Sequence, residues 1–91
     1  MSREQPEVLI YSSSFCPYCV RARRLLKDKG VSYRELKVDF DPTRREEMER
    51  LTRRRTVPQI FIGDLHVGGY DDLAALDRQG TLDGLLGISS D

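Results

Sequence analysis

Residues 12–23 read SSSFCPYCVRAR, and both cysteines of the 91-residue chain, Cys16 and Cys19, fall inside that stretch, three positions apart. An apolar run rich in strand formers, Val8-Leu9-Ile10-Tyr11, comes just before it, and a run of arginines begins at its end. All the sulfur chemistry of the cysteines therefore sits where a strand gives way to a helix. Three chemistries compete for such a pair: half of a metal site, a structural staple and a redox couple.

A metal site needs about four ligands, and the chain offers two cysteines and one histidine, His66. His66 reads as an ordinary surface residue in the middle of a hairpin, so a zinc or iron–sulfur site would have to be shared between chains. A structural disulfide is a poorer reading still, because closing so small a loop removes little entropy from the unfolded chain. The redox couple fits the physics. Residues i and i+3 at a helix start share a face, close enough for their sulfurs to bond. Cys16 would meet unsatisfied N–H groups and the positive end of the helix dipole, which favour thiolate over thiol. Cys19, inside the first turn and on the apolar stripe, is the more sheltered. That asymmetry assigns attack to Cys16 and resolution to Cys19. A C-x-x-C after a strand, in a strand–helix–strand unit, is the pattern of a thioredoxin-like redox site.

The helix expected from Cys16 or Pro17 carries Cys19, Ala22, Leu25 and Leu26 on one stripe, with Pro17 at its first position and Gly30 as a left-handed C-terminal cap. Val31 to Asp39 reads as a second strand, parallel to the first because a helix connects them. Asp41 caps and Pro42 opens a second helix through about Arg53, whose only large apolar residues are Met48 and Leu51. Gln59 to Ile62 and Leu65 to Val67 flank Gly63-Asp64, a two-residue hairpin signal, and Gly68-Gly69 breaks the strand. A third helix is expected over Asp71 to Gln79, with Leu73, Ala74 and Leu76 inward, then a helical turn over Leu82 to Leu86. The expected class is α/β: a four-stranded mixed sheet with helices on both faces. One domain is expected over residues 1–91, with a core over about 8–86 and tails at 1–7 and 87–91.

Composition is ordinary for a globular chain, 38% hydrophobic and 33% charged, and no apolar run approaches the ~18 residues that cross a bilayer. Residues 1–7 are polar and acidic, so no secretion signal is expected. A cytoplasmic protein, whose disulfides are transient and catalytic, is the expectation. Net charge is zero, yet residues 21–55 carry 13 Lys/Arg against 7 Asp/Glu while residues 56–91 carry 1 against 6. The imbalance fits an anion site or a nucleic-acid face, and also a pair of solvated helical faces. No aromatic residues interleave with the arginines, so the stacking half of a nucleic-acid pattern is missing. Neither nucleic acid nor a membrane is an expected partner.

Three separated motifs, CPYC at 16–19, TVPQIFI at 56–62 and GGYDDL at 68–73, resemble in order and spacing those of dithiol glutaredoxins of the bacterial kind. The resemblance runs from about Val8 to Leu86. It implies a thioredoxin fold, with glutathione as co-substrate and no permanently bound cofactor; a monomer is expected. The implied substrates are protein–glutathione mixed disulfides and protein disulfides, ribonucleotide reductase among them in some members. It also implies that Val57-Pro58 is cis, turning the Val57 backbone toward the cysteinyl part of glutathione along an edge made by Thr56, Val57 and Pro58. Gly69, Tyr70 and Asp71 would hold another end. Glycines let the chain approach a ligand, the helix start offers N–H groups to a carboxylate, and Asp71 would pair with the γ-glutamyl ammonium. Local sequence alone fits a plain turn with Asp71 as a helix cap equally well. Family members often carry a lysine three residues before the first cysteine. This chain has Ser13 there, and Arg45 matches another position that reaches the glycyl carboxylate. Tyr18 is expected to line the groove, Arg53-Arg54-Arg55 to add field nearby, and Asp72 to be structural.

Two other readings stand beside this one. A thioredoxin-like electron donor would ignore glutathione, but such proteins usually lack the Gly-Gly-Tyr-Asp segment. A glutathione-bridged iron–sulfur carrier dimer is disfavoured by Pro17, since cluster-holding relatives usually carry a smaller residue there.

Overall fold

The apolar run before the cysteines is the centre of the sheet in the computed structural model, which describes residues 5–88. Strand β1 (Val8–Ser12) pairs in parallel with β2 (Arg34–Lys37) and antiparallel with β3 (Gln59–Ile62). Strand β4 (Leu65–Gly68) pairs antiparallel with β3, giving the order β2-β1-β3-β4. Side chains alternate across a strand. Val8 and Ile10 therefore join Ile60 and Ile62 on one face, while Leu9 and Tyr11 join Phe61 on the other.

Helix α1 (Pro17–Asp28) covers the first face through Ala22 and Leu26. Beside it lie α3 (Tyr70–Arg78), through Leu73, and the short α4 (Leu82–Leu86), through Leu82 and Leu86. Helix α2 (Pro42–Thr52) covers the second face, where Met48 packs with Tyr11 and Val38. The mixed four-stranded sheet with helices on both faces is the one expected.

Several boundaries differ from the expectation, each for a local reason. Strand β2 is shorter than residues 31–39, because Val31 leaves α1 by dropping into the core beside Leu26. At its far end the Val38 N–H still donates to the Ser12 carbonyl at 2.9 Å before the chain turns at Asp39 and Phe40. Leu51 is 53% exposed, so the contact stripe of α2 is Met48 with Thr52, four positions apart. His66 is half-buried rather than free on the surface: its ring stacks on Phe61 at 5.0 Å and its Nε2 lies 2.7 Å from Gln59 Oε1.

Register decides where chemistry can happen. Tyr11 pairs with Gln59 and Ile60 with Gly68, so the end of β1, the start of β3 and the end of β4 lie side by side. Three loops meet at that edge: the one carrying Cys16, the one carrying Thr56 to Pro58, and the one entering α3.

Candidate active site

Cys16 is the N-cap of α1, in extended backbone, with Pro17 in the first turn behind it. Its Sγ accepts a hydrogen bond from the Cys19 N–H at 3.1 Å, as a capping serine or aspartate oxygen would. A sulfur in that place sits on an orphan N–H group at the positive end of a helix, both of which hold negative charge. The half-buried thiol donates to the Val57 carbonyl oxygen across 3.7 Å. Cys19, on the inward stripe of the same helix, is fully buried. Burial pushes its thiol up to about 12, helped by the hydrogen bond with Cys16 and opposed by one from the Ser13 backbone. The two sulfurs are not bonded to each other. One sulfur is accessible and helix-capped; the other is sheltered and stays protonated.

Beyond Val57 opens a cleft of about 220 Å³. Thr56, Val57 and Pro58 form one wall, with the Val57–Pro58 bond cis. Gly69, Tyr70, Asp71 and Asp72, at the start of α3, form another, and Tyr18 from α1 also lines it. The Tyr18 and Tyr70 rings lie 6.4 Å apart, and the Arg21 guanidinium stacks over Tyr18 at 5.4 Å. The fold thus brings Cys16, Cys19, Tyr18, Thr56, Val57, Pro58, Gly69, Tyr70 and Asp71 to one place. Arg45 lies elsewhere, half-buried in the first turn of α2, and does not line this cleft.

The cation that does line it is Arg54. Thr52 puts it there: its buried hydroxyl donates to the Met48 carbonyl at 2.7 Å and accepts from the Arg54 N–H at 3.0 Å. Arg53 turns the chain between them in left-handed conformation, at φ 59°. Arg54 Nη1 then reaches Asp72 Oδ2 at 3.4 Å, and the same carboxylate oxygen accepts from the Gly69 N–H at 2.9 Å. A larger hollow of about 460 Å³, lined by Glu49, Arg50 and Arg53 to Arg55, adjoins the cleft through Arg54. Arg54, expected only to add field, and Asp72, expected to be structural, both line the cleft. Asp72 stands three residues after Gly69, the position from which a side chain reaches back to the N-cap N–H, although glycine supplies no reciprocal cap. Which of three consecutive arginines points inward depends on the Arg53 turn, which carries no sequence mark.

Gln59 supports the opposite wall. It is buried, and its Nε2 donates to the Thr56 carbonyl at 3.0 Å and to the Thr56 hydroxyl at 3.2 Å, while its Oε1 takes the His66 contact. Burial and the Arg54 charge lower the pKa of His66. Among the described residues, no group of three or more His, Cys, Asp or Glu side chains is placed to hold a metal ion.

The chain that builds this cleft beside Cys16 has known counterparts. The family model described as Glutaredoxin matches residues 8–67. A glutaredoxin of Pseudomonas aeruginosa is 53% identical over 81 residues, which covers 89% of this chain and 96% of that one. Glutaredoxin 3 of Escherichia coli K12 is 56% identical over 79 residues, 87% of this chain and 95% of its own. Among solved structures, the buckwheat glutaredoxin–glutathione complex superposes with a TM-score of 0.84 at 28% identity, covering 92% of this chain and 83% of the other. The solution structure of a Brucella melitensis glutaredoxin gives 0.80 at 49% identity, covering 90% and 89%. Fold, motifs and relatives agree: this chain has the thioredoxin fold and belongs to the glutaredoxin family of thiol–disulfide oxidoreductases.

Proposed function

We propose that this protein reduces protein–glutathione mixed disulfides, and some protein disulfides, with glutathione as its reductant. The observation that carries the reading is the Cys16 sulfur, capping α1 on the Cys19 N–H and abutting, through Val57, a cleft with donors and charges at both ends. Glutathione has two carboxylates, one ammonium and a central sulfur. The backbone of Val57 suits its cysteinyl part. The free N–H groups at the start of α3 and the exposed Asp71 carboxylate suit its γ-glutamyl end. Arg54, held beside Asp72 at that same helix start, suits the γ-glutamyl carboxylate, with Arg45 the candidate for the glycyl carboxylate. The complex of the buckwheat relative with glutathione supports the same ligand here.

In the first step the Cys16 thiolate attacks the glutathione sulfur of the mixed disulfide. A Cys16–glutathione disulfide forms, the old S–S bond breaks, and the protein sulfur leaves as a thiolate that takes a proton. In the second step a glutathione thiolate attacks that disulfide, releasing oxidised glutathione and restoring Cys16. On a protein disulfide, Cys16 first bonds to one substrate sulfur, and Cys19 displaces it, leaving a Cys16–Cys19 disulfide for two glutathiones to reduce. The test is turnover of the mixed disulfide of glutathione and mercaptoethanol, with glutathione and its NADPH-dependent reductase as electron source. Consumption of NADPH that depends on this protein supports the reading; none, with the protein folded, contradicts it.

A further inference from the structure

Two of the three phenylalanines lie outside every core cluster: Phe15 is 92% and Phe40 is 82% exposed, whereas Phe61 packs in the sheet. They come from different loops that are tied together. The Ser14 N–H, next to Phe15, donates to Asp39 Oδ2, next to Phe40, at 3.0 Å. That bond lowers the pKa of Asp39, so its carboxylate is ionised at neutral pH and ties the two loops together. Phe15 also directly precedes Cys16, and neither ring lines the glutathione cleft. A small domain with a modest core gains by burying aromatic side chains, so two left in water, one directly before Cys16 and one on the loop tied to Ser14, mark a contact surface.

We propose that Phe15 and Phe40 seat the polypeptide half of the substrate, taking the apolar residues that flank its glutathionylated cysteine. The inference rests on the glutathione reading above and adds the other partner to it. When Cys16 attacks the glutathione sulfur, the leaving sulfur belongs to the substrate protein. Its chain must emerge outside the cleft that glutathione fills. Phe15, directly before Cys16, and Phe40, on the loop tied to it through Ser14 and Asp39, offer exposed apolar surface that the cleft does not use. Exposed phenyl rings fit an apolar stretch of the partner.

The experiment uses two glutathionylated peptides, one with leucine and phenylalanine beside the cysteine, the other with serine and glycine, and the glutathione–mercaptoethanol disulfide. Wild type is expected to favour the apolar peptide about tenfold in kcat/KM, the scale of partly burying two aromatic rings. The double variant Phe15→Ser, Phe40→Ser is expected to lose that preference while turning over the small disulfide at the wild-type rate. Phe40→Ser alone, far in sequence from the cysteines, should lose about threefold of it. An undiminished preference in the double variant, or none in wild type, overturns the assignment. Failure of wild type on the small disulfide overturns the glutathione reading, and this inference with it.

Discussion

Cys19 is sealed under the first turn of α1, and that burial is the main reason its thiol is pushed up to about 12 from an ordinary 9.0. A neutral, buried thiol stabilises the fold; its contribution is whole below pH 9 and is lost as pH rises through about 12. In the Cys16→Ser variant, where Cys19 is the sole thiol, ultraviolet thiolate absorbance should stay absent through pH 9 and grow only on the way to 12. Absorbance at neutral pH would show that Cys19 is not sheltered. The cations are separable at the same scale. Arg54 lines the cleft and Arg45 does not, so Arg54→Ala should raise KM for glutathione–mercaptoethanol disulfide by about three- to tenfold, the worth of one partly solvated arginine–carboxylate contact. Arg45→Ala should raise it less. The reverse order would make Arg45 the principal cation for the ligand. Sequence made Arg45 legible because a family position marks it. It left Arg54 obscure because a buried threonine and one left-handed turn, rather than any motif, aim that side chain.

The turn between β4 and α3 depends on one residue having no side chain. Gly68 has φ 116°, and a Cβ there would press on the Asp72 carboxylate, 2.9 Å from its Cγ, and lie 3.2 Å from Arg54 Nη1. Gly68→Ala therefore strains the backbone and displaces the carboxylate that holds the Gly69 N–H and Arg54. The expected result is a loss of about 1–3 kcal/mol in denaturant stability together with about a tenfold rise in KM for glutathione mixed disulfides. A variant with unchanged KM would mean that the start of α3 does not bind glutathione. Helix existence was readable here because Pro17, Asp41-Pro42, Gly30 and Gly68-Gly69 punctuate the chain. Strand β2 is shorter than the apolar pattern suggests because Val31 and Val38 are both core residues outside the ladder: Val31 packs beside Leu26 below α1 and Val38 with Tyr11 and Met48 below α2, and composition does not distinguish such residues from strand ones.

At the scale of the whole molecule, the parallel β1–β2 pair and the antiparallel hairpin bring three distant segments to one edge of the sheet. The order of strands and helices implied the sheet, while the resemblance of three separated motifs to the glutaredoxins, rather than the strand pattern, pointed to most of the candidate site. The partition of charge is the other global feature. The surplus of arginine gathers partly in the hollow of Arg50, Arg53, Arg54 and Arg55 that adjoins the cleft. Glutathione and its mixed disulfides carry net negative charge at neutral pH, so this field should draw them in, and salt should screen it. Raising ionic strength from 0.02 to 0.5 M is expected to lower kcat/KM for the small mixed disulfide by about threefold, chiefly through KM. An absence of salt dependence would reduce the arginines to solvated surface. The decisive assignment remains that of the two sulfurs, and Cys19→Ser tests it most directly when assayed on both a glutathionylated protein and a protein disulfide, beside Cys16→Ser. The account predicts that Cys19→Ser keeps or raises activity on the glutathionylated protein, since glutathione resolves that intermediate, and loses most activity on the protein disulfide, while Cys16→Ser is inactive on both. An active Cys16→Ser, or a Cys19→Ser inactive on the glutathionylated protein, would contradict it.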